Sequence, residues 1–160
     1  MIEFANPIFT VFVLVNLSSL VVLFWTWRAE DAGRIIYAVV FLLAGIINGW
    51  LGIFNPKIYL FFGENTLWSL YENFIYGLFD RHTSAFIVSI AIGQLLIAAG
   101  LFFRGKLWFI AIYGAIFFIW ALLPLGIGAA FPATFFMLLT LIIIVRREDG
   151  NLEMEKLNQY

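Results

Sequence analysis

Cysteine is absent from this 160-residue chain, and histidine occurs once. The first absence excludes disulfides, thiolate metal sites, iron–sulfur clusters and protein-borne thiol chemistry. Charge is also scarce, at 12% of residues against 64% hydrophobic, which is too little polar surface to cover a soluble globule of this size. The formal net charge is −1 and Lys and Arg form no cluster, which argues against a nucleic-acid partner. A positive n-region is missing from MIEFANP, and the apolar run that follows is longer than the h-region of a leader, so it reads as a retained span. The final LNQY holds no cysteine for a lipid anchor.

What is present is a succession of apolar runs: 7–27, 35–54, 83–103 and 107–145. As one helix the last would measure about 58 Å at 1.5 Å per residue, nearly twice the ~30 Å hydrocarbon core. Its middle, LLPLGIGAAFPA, holds Pro124, Gly126, Gly128 and Pro132, which end helices and permit turns. The run therefore divides into 107–123 and 131–145. Charge gives independent support. With five spans, Arg28, Arg34, Arg104, Lys106, Arg146, Arg147 and Lys156 fall on one side and only Lys57 and Arg81 on the other. With a single last span the bias disappears, and cytoplasmic loops are the basic ones. The expected fold is all-α: a polytopic membrane helical bundle of five spans, N-terminus outside and C-terminus inside. Residues 1–145 make one membrane domain and 146–160 a short cytoplasmic tail.

The connection from 55 to 82 is too aromatic for a solvated loop. Within it Ser69, Glu72, Asn73, Tyr76 and Asp80 recur at helical steps, with apolar residues filling the rest of the wheel. This predicts an external, interfacial amphipathic helix over 66–80, capped by Asn65 or Thr66, with Trp68 and its other rings at headgroup level. Asp80, Arg81 and His82 then mark where that helix stops and the next span begins, Asp80 needing a cationic partner. The sharper reading turns Trp68, Glu72, Tyr76, Asp80, Arg81 and His82 toward the bundle mouth as a ligand site. One His with two carboxylates and no HExxH pattern is no metal signature.

No charge lies inside the five spans. Their polar residues, Asn16, Ser18, Ser19, Asn48, Ser89, Gln94, Thr134 and Thr140, are suited to hydrogen bonds between helices. Asn48 and Gln94 stand apart, because a primary amide in hydrocarbon needs several partners and both lie where the second and third spans can enclose a cavity. Gly45 with Gly49 and Ala111 with Ala115 are small-xxx-small pairs for close helix packing within the bundle.

RIIYAVVFLLAGIINGW (34–50), IGQLLIAAGLFFRGKLW (92–108) and, as a terminal apolar helix, AFPATFFMLLTLIII (130–144) together resemble the DoxX-like family of small bacterial and archaeal membrane proteins. The resemblance covers residues of about 34–145. It implies a multi-pass protein of a prokaryotic plasma membrane, an accessory subunit associated with quinone or redox assemblies. The chain departs from the family in its extra first span and at position 94, where Gln replaces a frequent Glu and removes the carboxylate that a proton role would need.

Three functions follow as alternatives. An accessory subunit of a larger membrane complex, or a homo-oligomer, fits the resemblance and the lack of buried charge. A binding or transport protein for a lipid or small hydrophobic molecule fits an aromatic helix over a mouth with Asn48 and Gln94 beneath it, with a lipid or a quinone as ligand. An intramembrane enzyme has the least support, since no catalytic set is recognisable.

Overall fold

A computed structural model describes the backbone of residues 7–28 and 30–157 and the side chains of residues 9–28 and 32–148. The first residues of MIEFANP and the tail end, 158–160, lie outside the described residues. Those described form helices and turns, with no strand among them. The long helices are α1 (Pro7–Thr26), α2 (Glu30–Phe54), α5 (Thr83–Phe102), α6 (Lys106–Leu122) and α7 (Ala133–Leu157). Between α2 and α5 the chain runs through a 3-10 helix (Pro56–Phe61), α3 (Phe62–Asn65), α4 (Ser69–Phe74) and a π-helical turn (Ile75–Phe79).

Four segments are long and apolar enough to cross a membrane: Phe9–Thr26, Ala32–Phe54, Thr83–Phe102 and Lys106–Ala129. Side-chain distribution agrees with an apolar surround. Ile110, Leu96 and Phe117 are 70%, 68% and 68% exposed, whereas Thr26, Thr140 and Gln94 are buried. Helix α1 in particular turns Leu14, Leu17, Val21 and Phe24 outward and buries Ser19 and Thr26. In water that arrangement is unfavourable by about 25 cal/mol per Å² of exposed apolar surface. Lipid removes the penalty.

Helices α2, α5, α6 and α7 close into a ring around one core of Tyr37, Phe41, Leu101, Trp108, Ile112 and Leu141. Antiparallel pairing of α2 with α5 is the most extensive contact. Its seam is made by glycines. A Cβ on Gly45 would stand 2.8 Å from the Leu95 side chain, one on Gly52 2.8 Å from Ile87, and one on Gly49 3.7 Å from Ala91. Likewise a Cβ on Gly100 would meet that of Ala111 at 2.5 Å across the α5–α6 contact. Both small-residue motifs therefore serve packing inside the bundle. Helix α1 lies against α7 and α2, outside the ring. Its end is held by Arg147 of α7, whose guanidinium donates to the carbonyls of Thr26 and Trp27. Those are among the last carbonyls of a helix, which lack partners within it.

The 107–145 run breaks where its prolines and glycines lie. Leu123–Ala129 is a 3-10 segment, and Gly126 adopts φ 59°, a conformation that residues with a Cβ avoid. A Cβ there would also come within 2.9 Å of the Asn65 carbonyl. The apolar part of α7 spans only 133–145, about 20 Å at 1.5 Å per residue.

Two expectations need correction. The interfacial segment is not one helix over 66–80, and neither Asn65 nor Thr66 caps it. Asn65 ends α3, and α4 starts at Ser69 with Trp68 at its N-cap position and no side-chain cap. The reason is a tertiary contact: Thr66 Oγ1 and Leu67 N both donate to the Pro124 carbonyl, at 2.9 and 2.8 Å. The polar residues within the spans also do less between helices than expected. Ser19, Ser89 and Thr140 donate to carbonyls three or four residues back in their own helices, and Asn16 donates to Phe12. Short side chains on a helix reach that carbonyl more readily than a neighbour.

Candidate functional site

Residues 56–79 form a lid over one end of the ring. Its inner surface is attached to the turn after α6, where an ending helix leaves carbonyls free. Thr66 and Leu67 take the Pro124 oxygen, and the Tyr71 hydroxyl donates to the Ala121 oxygen at 3.0 Å. The two ends of the lid are joined by Lys57, whose Nζ meets Asp80 Oδ1 at 2.5 Å and the Asp80 carbonyl at 2.6 Å. Lys57 is the cation that Asp80 required.

Beneath the lid lies a cavity of about 390 Å³. Ile87 and Ile90 of α5 and Phe118, Ala121 and Leu122 of α6 make its walls. Its roof is aromatic, with Phe62, Phe74 and Phe79 beside Tyr59 and Tyr71. Such a lining, apolar with a few placed polar groups, is what small-molecule sites have in common. The polar groups here form one chain of hydrogen bonds. The Tyr59 hydroxyl donates to Asn48 Oδ1 at 2.5 Å, and Asn48 Nδ2 donates to Gln94 Oε1 at 2.7 Å. Gln94 is only 4% exposed and lines the cavity with the amide whose oxygen accepts from Asn48. Burial pushes the Tyr59 phenol above its ordinary pKa, so it keeps its proton and remains a donor.

The chain matches no family model, no curated protein and no solved structure. What the site can do must come from its own atoms. The titratable groups lining the cavity are two phenols, those of Tyr59 and Tyr71, and Tyr71 is engaged with Ala121. General acid–base work needs a titratable group poised near working pH.

Of the residues singled out in the sequence, Asn48 and Gln94 meet at the cavity. Trp68, Glu72 and Tyr76 lie exposed on the lid. Asp80, Arg81 and His82 line a separate surface hollow of about 340 Å³ with Lys57. No group of His, Asp and Glu among the described residues is placed to hold a metal ion. Tyr59 and the phenylalanine roof were not anticipated. Tyr59 had one readable signal, a polar-tipped ring in a short connection directly following the helix that carries Asn48.

Proposed function

We propose that this protein binds a small, largely apolar molecule within the membrane, in the cavity beneath the 56–79 lid. The observation that carries the reading is the hollow itself, apolar over nearly all of its lining and furnished with one hydrogen-bonded polar chain, Tyr59–Asn48–Gln94. Size sets the ligand class. A cavity of about 150 Å³ takes benzene, so 390 Å³ suits roughly 15 non-hydrogen atoms: a fused ring system, a quinone head or part of a lipid chain.

The same reading takes the apolar part of α7 as a fifth crossing and the basic loops as cytoplasmic, in a prokaryotic plasma membrane. Site-specific labelling in intact cells tests it. His82 is expected to be reachable from outside and Arg104 only after permeabilisation; both on one side defeats the topology.

The binding reading is tested by native mass spectrometry of gently solubilised protein, coupled to lipid extraction. A stoichiometric small molecule on the wild type, lost in a folded Ala121→Phe variant that fills the hollow, is the expected result. Bare protein throughout, or equal retention by both, overturns it. A place beside a larger membrane complex is a second reading. It is supported by the DoxX-like resemblance, which begins after α1 and covers the helices that close the ring. Its test is copurification with stoichiometric partner subunits.

A further inference from the structure

The cavity has two unlike sides. Its roof on the lid is built of rings, those of Tyr59, Phe62, Tyr71, Phe74 and Phe79, whereas its walls, Phe118 apart, are aliphatic, with Ile87, Ile90, Ala121 and Leu122. The rings hold one another in place. Phe62 stacks on Tyr59 with 6.2 Å between centroids and 25° between planes, and Phe74 and Phe79 lie tilted at 5.9 Å. Phe86 of α5 backs the second pair, edge-on to Phe74 at 5.4 Å and 5.6 Å from Phe79. The two tyrosines are tied by their hydroxyls, one to Asn48 and one to the Ala121 carbonyl. A roof ordered in advance in this way loses little freedom when a molecule settles against it.

The surrounding bilayer decides what such a roof can select. Acyl chains are as apolar as the cavity lining, so an alkyl group that moves from lipid into the hollow gains no hydrophobic free energy. Selection comes from contacts that lipid cannot supply, and offset or edge-on contact between aromatic rings adds to the burial of area alone. We infer that the cavity takes a planar aromatic ring system of about two fused rings in preference to a saturated chain or ring of the same size, and that Phe62 and Phe74 supply the preference. The inference rests on the binding reading above. Each of these two rings belongs to a separate pair, and neither carries a hydroxyl that anchors the lid. With about 150 Å³ sufficient for one benzene, a hollow of about 390 Å³ has room for two fused rings and for a substituent beside the Tyr59–Asn48–Gln94 chain.

Naphthalene, tetralin and decalin share one bicyclic carbon skeleton and carry two, one and no aromatic rings. None of them forms conventional hydrogen bonds, so together they read the roof and not the polar chain. Their binding to the full chain in lipid nanodiscs is measured against empty nanodiscs, at matched mole fraction of probe in the lipid. For the wild type, naphthalene is expected to bind about fivefold tighter than decalin, with tetralin between them. Phe62→Leu and Phe74→Leu should each lower that ratio by about twofold with decalin affinity kept, which a general loss of structure would not allow. Ala121→Phe, which fills the hollow, should remove naphthalene binding. Equal binding of the three probes to the wild type, or a ratio that neither Phe substitution lowers, overturns the inference and leaves the cavity reading standing. If no probe binds above the empty-nanodisc level, or if Ala121→Phe retains naphthalene in full, the cavity reading itself falls. Should either Phe variant fail to fold, the wild-type order still decides for or against an aromatic ligand.

Discussion

Around Tyr37, Phe41, Leu101, Ile112 and Leu141 the four ring helices meet with their core side chains almost fully enclosed, whereas beneath the lid the same helices stand around a hollow. The core on the lid side is small, limited to Ile75, Phe79, Ile87 and Leu125. In water, hydrophobic burial would act to collapse such a gap. In lipid it acts weakly, because acyl chains are as apolar as the side chains, and helices associate through close packing instead. A membrane bundle can therefore keep one dense end for cohesion and leave the other open at small cost.

That contrast can be broken most directly by truncation. Leu101→Ala in the dense end should cost about 3 kcal/mol in detergent unfolding, by lost contacts and a new cavity, whereas Ile90→Ala, which enlarges an existing hollow, should cost about 1 kcal/mol. Equal losses would mean that the two ends do not differ. Overfilling gives the next largest effect. Gly45→Val drives a side chain into Leu95 and should cost about 2 kcal/mol, while Ala121→Phe in the hollow should cost less than about 1 kcal/mol. The lid attachment comes third. Thr66→Val removes one hydrogen bond to Pro124 and should lower stability by about 1 kcal/mol, seen as faster amide exchange over Ser69–Phe74 with α5 and α6 unchanged. Lys57→Gln comes fourth: both partners of its ion pair are substantially exposed, so the loss should stay below about 1 kcal/mol and shrink further in high salt. Last, exposed His82 makes no side-chain hydrogen bond with the described residues, so His82→Ala should shift detergent melting by no more than about 0.5 kcal/mol.

Much of the frame was legible because it depends on local chemistry. Pro124 and Gly126 divide the last apolar run whatever surrounds them, and the Gly45, Gly49 pair announces a close helix contact. Asn48 and Gln94 were conspicuous as amides in hydrocarbon. The lid was harder to read, because its partners are distant in sequence: Thr66 and Leu67 join Pro124, and Tyr71 joins Ala121. A helical wheel over 66–80 also assumes one unbroken period. The late start at Ser69 and the π turn at Ile75–Phe79 change the phase, so that Ile75 and Phe79 turn inward while Trp68 and Tyr76 stay out. Lys57 was visible only as a charge, and nothing local linked it to Asp80.

The contact of Arg147 with the end of α1 has a consequence for the order of assembly. Within this sequence α1 is made before α7, yet the two are neighbours, and the guanidinium that ties down the Thr26 and Trp27 carbonyls is made after the other long helices described. Until then α1 has only α2 beside it among its eventual neighbours, and the ring can close without it. The contact that fixes the end of α1 thus joins the two most sequence-distant long helices, and α1 is held by α2 alone until α7 is in place.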